Sequence, residues 1–278
     1  MGSLAATESA QFRQILGIRF FVGSAEEAID RIRGGGLLVV PAAPALKNLG
    51  DDRGYREALQ SADLVIADSA FMVIVWNRLE NDSIRRVSGL RYLSSLLKQP
   101  EFSQPGGSFW IMANERSARR NTAWLRRQGI HVEAADRYVA PIYGKTIEDP
   151  ELLKRINERR PRHIVVTLGG GTQERLGLYL RSELDFKPSI HCIGAAIAFL
   201  SGDQVQIPKW ADHMYLGWLF RCISDPLRYM PRYWDARKLL SLMRRHGSSL
   251  PVSLKSAPAP PVELAKNDCI PSTPGTSQ

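Results

Sequence analysis

Short apolar runs recur along the chain, and the stretches between them carry their apolar residues at helical spacing. The opening residues, MGSLAATESA, lack either pattern and read as a loose end. IRFFV is followed by SAEEAIDRIR, where Ala28, Ile29 and Ile32 share one helical face and Ser24 stands at an N-cap position. Glycines 34–36 end that helix, and LLVV follows, bounded by Gly and Pro as a strand buried on both faces would be. DDRGYREALQSADLVIADSAFMVIVWNRLE predicts helix, strand and helix, with the strand at 64–67 and Asp68 at its carboxyl edge. GSFWIMANERSARRNTAWLRRQGIHVEAADRY predicts a strand at 109–112, a loop at Asn114, a helix and a further strand. DPELLKRINERRPRHIVVTLGGGTQERLGLYLRSEL predicts a helix, a strand, a glycine turn and another helix. SIHCIGAAIAFLSG predicts one more strand followed by a loop.

Strands that alternate with helices in this way imply βαβ units, and hence an α/β fold with a parallel sheet flanked by helices. In such sheets ligands bind beyond the carboxyl ends of the strands. Asp68, Asn114 and the turn of Gly169, Gly170 and Gly171 all fall at those ends. From Trp210 to His246 the texture changes to large aromatics and leucines mixed with basic residues, eight Lys or Arg against three Asp from Lys209 on. The remainder is rich in Pro and Ser. The expected organisation is a core over 1–208, a basic aromatic-rich appendage over 209–246 and a disordered tail over 247–278.

Composition narrows the classes. A formal net charge of +9 favours acidic partners such as phosphates, nucleotide sugars, nucleic acid or an anionic membrane face. No helix-turn-helix, RNA-recognition or zinc-finger signature supports nucleic acid. Three scattered cysteines without a CxxC pair argue against structural zinc and fit a reducing compartment. No run reaches the roughly 18 apolar residues of a spanning helix. MGSLAATE has Gly2 but lacks Ser or Thr at the sixth position, so it is a poor myristoylation match.

The glycine turn lets backbone N–H groups approach a ligand, and a helix beginning near Thr172 would offer its positive end to a phosphate. It is neither GxGxxG nor a P-loop. Its plain alternative is a tight turn with Thr172 as N-cap and Glu174 satisfying the helix dipole. Asp68 is placed to act as a general base, or merely to cap the helix that begins at Ser69. Asn114 is placed to bind a ligand or only to turn the chain. No histidine pairs with a second metal-type ligand at helical spacing, so a lone one such as His191 reads as structural.

VVTLGGGTQERLGLYLRSEL resembles the Gly-containing Q-E segment of the WecG/TagA/CpsF glycosyltransferases, glycosyltransferase family 26. ALQSADLVIADSAFMVIVWNRL, IRRVSGLRYL and CIGAAIAFLSGDQVQIPKWADHMYLGWLFRCISDPLRYMPRYW resemble further segments of that family, in the same order, over about 18–240. The resemblance implies a Rossmann-like core and inverting transfer from a UDP-sugar to a polyprenyl-diphosphate-linked saccharide. It implies no cofactor and no DxD metal motif. It also implies a basic appendage that rests on an anionic membrane, peripheral on the inner face of a bacterial plasma membrane. Asp68 then matches the proposed base, Gln173 and Glu174 the Q-E pair of the cleft, and Arg86 the Arg of E-R-V-x-G. Arg221, Arg228 and Arg232 match basic positions of the appendage, which is membrane-facing or, alternatively, a homo-oligomer interface.

The sequence departs from the family pattern at Ser69, Ala42, Arg91, Gln206 and Gly217. The loss of several polar cleft positions among these leaves the donor sugar open, N-acetylmannosamine-like or a uronic or other hexose. It also leaves open a degenerate protein that binds a nucleotide sugar or glycolipid without turnover.

Overall fold

The computed structural model describes residues 11–203 and 217–251, and the side chains at 217, 218, 221, 228 and 232 fall outside that description. Eight strands form one sheet: β1 (Phe12–Ile15), β2 (Ile18–Phe21), β3 (Gly36–Val39), β4 (Leu64–Ile66), β5 (Ser108–Met112), β6 (Arg137–Val139), β7 (His163–Val166) and β8 (Ser189–Cys192). Their order across the sheet is β1-β2-β4-β3-β8-β7-β5-β6. Every pairing is parallel except that of β1 with β2.

The helices cover both faces. They are α1 (Ala25–Ile32), α2 (Ala43–Leu46), α3 (Arg53–Ser61), α4 (Ala70–Glu80), α5 (Gly89–Leu96), α6 (Glu115–Arg127), α7 (Pro150–Arg159), α8 (Thr172–Glu183) and α9 (Ala196–Ser201). Near the carboxyl end come α10 (Gly217–Ser224), α11 (Pro226–Asp235) and α12 (Lys238–His246). β3, β5, β7 and β8 are buried along their whole length, as runs with no polar alternation must be when both faces are covered. Successive residues alternate between two cores: Leu37, Val39, Phe109 and Ile111 enter one, and Leu38, Val40, Trp110 and Met112 the other.

Capping follows the sequence closely at α1, where Ser24 accepts from the Glu27 amide and the Glu27 carboxylate accepts from the Ser24 amide. Elsewhere the structure adds elements that the pattern did not mark, while the expected loose end over 1–10 lies outside the described residues. The residues before IRFFV form β1, which pairs with β2 through a tight turn at Leu16 and Gly17, both at positive φ. The turn is pinned by the other end of the chain: Leu16 N donates to Gly247 O at 2.9 Å and Gly17 N to Ser248 O at 2.8 Å. A Cβ on Gly17 would meet Leu250 Cβ at 2.6 Å, so only glycine fits. The strand after α6 is confined to Arg137–Val139 behind a 3-10 turn. The loop expected after β8 contains α9, built on an apolar AIAFL run.

The carboxyl segment does not behave as one appendage. In α12 Leu239 is fully buried and Met243 nearly so, and the helix packs against α4. α10 and α11 instead carry exposed Ile223, Leu227, Met230 and Trp234. Residues 247–251 are packed, with Pro251 buried, and the rest of the expected tail, 252–278, lies outside the described residues. No helix among the described residues is long and apolar enough to cross a membrane.

If α12 belongs to the core, Leu239→Ala should lower stability by about 3 kcal/mol through lost burial and a residual cavity. Denaturant unfolding checks this, and a change below about 0.5 kcal/mol would place the helix outside the core.

Candidate active site

The carboxyl ends of β3, β4, β5, β7 and β8 open into one cleft of about 1250 Å³. Asp68, Arg86, Asn114, Gly169, Gly170, Gly171 and Gln173 all line it. The topology explains the convergence. The chain leaves β4 on one side of β3 and resumes at β5 on the far side of β8, so loops from both halves face each other.

Asp68 lies two residues past the end of β4. It does not cap α4; Ser69 does, accepting from Met72 N at 3.1 Å. The Asp68 carboxylate is held instead by Arg86 and by backbone. Oδ1 accepts from Arg86 Nη2 at 3.0 Å and from Gly89 N at 3.0 Å, while the Asp68 carbonyl accepts from Arg86 Nε at 2.5 Å. Its side chain keeps 24% exposure, so it is fixed yet reachable from the cleft.

Across the cleft, α8 begins after the glycine turn. Its N-cap is Gly171, at φ 91°, and Thr172 is the first helical residue rather than the cap. Glu174 folds back beneath the turn, where Oε2 accepts from Gly171 N at 2.6 Å and Oε1 from Gln173 Nε2 at 3.1 Å. Gln173 Oε1 accepts from Gly194 N at 2.6 Å, and the Gln173 carbonyl accepts from Cys192 Sγ at 3.1 Å. The Gln173–Glu174 pair thereby ties the turn after β7 to the turn after β8. Glu174 itself is fully buried behind the lining, and burial raises its carboxyl to about 7.

Asn114 has a structural task and a place in the cleft lining. It caps α6, accepting from Ser117 N at 2.9 Å, and it lines the cleft. Ser117 Oγ donates to Asp203 Oδ2 at 2.6 Å, which brings an additional carboxylate to that end. Sequence reading missed Asp203, because it lies far from Ser117 in the chain and follows a helix taken for a loop. It also missed Arg175, which pairs with Asp52 at 2.9 Å on the cleft wall. Lys47 pairs with Asp235 of α11, joining α2 to the carboxyl segment along the same wall, where Tyr229 and Tyr233 also face the cleft.

The backbones of Arg221, Arg228 and Arg232 lie in α10 and α11, but their side chains fall outside the described residues, as does Gln206 entirely. His191 is remote from this chemistry. It is buried, with Nδ1 bonded to Tyr92 Oη at 2.8 Å and Nε2 to His163 Nδ1 at 3.1 Å. Burial pushes both imidazoles down, His163 to about 4, so both stay neutral at physiological pH.

Residues 13–249 match the model of the glycosyl transferase WecG/TagA/CpsF family. The chain belongs to that family. It is also similar to an N-acetylglucosaminyldiphosphoundecaprenol N-acetyl-beta-D-mannosaminyltransferase of Staphylococcus aureus (strain MRSA252), 22% identical over 191 residues, or 68% of this chain and 72% of the relative. As a WecG/TagA/CpsF glycosyltransferase it carries its departures unevenly. Ala42 lines the cleft as the N-cap of α2 and makes no side-chain capping bond. Arg91 lies in the first turn of α5, its amide donating to Ser88 Oγ, and is not among the cleft-lining residues.

Two glycines separate conformation from ligand approach. Gly171→Ala should cost roughly 1–2 kcal/mol of stability, because φ 91° strains any L side chain. A Cβ on Gly169 meets nothing within 4 Å and needs no positive φ, so Gly169→Ala should leave stability unchanged. If a ligand's phosphate seats on the turn, Gly169→Ala should nevertheless weaken UDP binding several-fold in calorimetry. Unaltered affinity would remove the turn from the contact surface.

Proposed function

We propose that this glycosyltransferase moves a sugar from a UDP-sugar to a polyprenyl-diphosphate-linked saccharide, with inversion and without a metal, in the assembly of a cell-surface polysaccharide. The observation that carries the proposal is Asp68, held by Arg86 and Gly89 at one edge of a cleft whose opposite wall is the glycine turn. The Staphylococcus relative names an N-acetylmannosaminyl group as the transferred sugar and N-acetylglucosaminyl-diphosphoundecaprenol as the acceptor. The donor tested first is therefore UDP-N-acetylmannosamine.

The chemistry follows from charge. An acceptor hydroxyl attacks C1 of the sugar and passes its proton to the Asp68 carboxylate. The bond from C1 to the phosphate oxygen breaks, and its electron pair leaves with UDP. Negative charge grows on the departing diphosphate, where the α8 amino end and arginines such as Arg86 and Arg175 supply positive charge. Gln173 fixes the floor between the two turns. Asn114, with Ser117 and Asp203, offers hydrogen-bonding groups at the far end. A lipid-linked acceptor calls for a surface that meets lipid. Leu227, Met230 and Trp234 recur at i, i+3 and i+7 on α11, exposed by 90, 59 and 67%, as an apolar row suited to an anionic membrane interface.

A second reading, binding without turnover, is favoured by Ala42, which places a methyl group where the family pattern has a polar one. The two readings part at Asp68. Asp68→Asn should cut kcat by about 10²–10⁴-fold while UDP still binds. Wild-type transfer onto the undecaprenyl-diphosphate acceptor should persist in excess EDTA. Absence of transfer from every UDP-sugar tried, with UDP still bound, would favour the binding-only reading; loss in EDTA restored by magnesium would show that metal neutralises the diphosphate.

For the membrane surface, Leu227→Glu with Trp234→Glu should abolish flotation with anionic liposomes and leave the thermal midpoint unchanged, since both side chains are exposed. Flotation equal to wild type would assign the row to contacts with another subunit.

A further inference from the structure

We infer that Glu174 is a positioning residue whose buried carboxylate takes up a proton when a diphosphate seats on the glycine turn. The inference rests on the donor reading above. Glu174 sits in the first turn of α8 and touches nothing in the cleft directly. It acts through its neighbours. Oε2 holds Gly171 N at 2.6 Å, and Oε1 holds Gln173 Nε2 at 3.1 Å, whose own Oε1 holds Gly194 N at 2.6 Å. A single carboxylate therefore sets the spacing of two turns that wall the cleft. When ionised, it also places a negative charge at the helix end that an incoming diphosphate would use.

The groups around it leave that charge poorly compensated. Arg175, next in the chain, is engaged by Asp52 at the start of α3. Tyr55 of α3 is buried, and burial, Glu174 and Asp52 together hold its phenol protonated. Cys192 of β8 is buried, and burial with the nearby Glu174 holds its thiol protonated. Tyr55 Oη is buried without a hydrogen-bond partner and supplies no bond that holds the Glu174 charge. Gln173, Gly171 and Arg175 favour the carboxylate, but burial outweighs them and brings Glu174 to about 7, where it exchanges a proton at neutral pH.

The sign follows. A bound diphosphate adds negative charge beside the same turn, which disfavours the ionised acid and raises its pKa further. The complex then holds more protons than the free protein from about pH 7 up to the higher bound value. Affinity must fall as pH rises through that window, approaching tenfold per pH unit where uptake nears one proton. Below that window the acid is protonated in both states, and the linkage disappears.

The test is calorimetry of the full chain with UDP-N-acetylmannosamine, whose diphosphate is esterified at both ends and has no proton equilibrium near neutrality. Titrations in two buffers of different ionisation heat count protons directly. Expected is uptake of roughly half a proton per nucleotide near pH 7.5, little near pH 5.5, and none in Glu174→Gln. Binding with equal heats in both buffers at pH 7.5, or uptake that persists in a folded Glu174→Gln, overturns the inference. If that variant does not fold, the two-buffer comparison on wild type decides alone. Absence of binding in every buffer would overturn the donor reading, and this inference with it.

Discussion

The link from Glu174 through Gln173 to Gly194 is the contact on which the cleft depends. It joins the loops after β7 and β8, two strands whose own pairing ends at Val166 and Cys192. The backbone ladder runs one residue further, with Ile193 N donating to Val166 O at 3.1 Å and Thr167 N to Ile111 O at 2.9 Å, and past that point side chains tie the two loops together. A buried acid costs free energy unless it is well bonded, and here it accepts from a backbone amide and from a side-chain amide. The same burial that fixes the floor leaves the acid titrating near neutrality. Rigidity of the floor and sensitivity to a nearby anion thus share one cause.

Asp68 is held in a different manner. Its partners are a guanidinium and a backbone amide in the segment that follows α4, and it remains partly exposed. One carboxylate is thus buried beneath the glycine turn, and the other is braced at the rim, where the proposed reaction needs a base. The proposed roles follow this division, chemistry for Asp68 and position for Glu174, although the sequence sets both beside the ends of strands. α11 adds the third wall through Tyr229, Tyr233 and the Asp235–Lys47 pair, with its opposite face turned outward as an apolar row.

Local pattern revealed most of the sheet. Runs such as LLVV and FWIM admit few alternatives once bounded by glycine or a turn, and Asp68, Asn114 and the glycine turn could be placed at strand ends from order alone. What escaped was set by distant contacts. β1 is an antiparallel edge strand with mixed polarity, and its hairpin is pinned by residues 247–250, more than 200 positions away. α12 shares its basic, leucine-rich texture with the helices before it, and only packing on α4 distinguishes it as core. Asp203 and Arg175 join the site through partners remote in sequence. The inward turn of Glu174 depends on the exact course of the glycine loop, which no residue pattern specifies.

The central claim is that this cleft holds a UDP-sugar with its diphosphate between the Asp68–Arg86 edge and the glycine turn. A crystal structure of the chain with UDP bound tests it most directly. The account predicts phosphate oxygens within hydrogen-bonding reach of the backbone at Gly169 or Gly170, with Arg86 or Arg175 nearby and Asp68 facing the space left for the sugar. Density for UDP elsewhere on the molecule, with the cleft between Asp68 and Gly169 unoccupied, would contradict it.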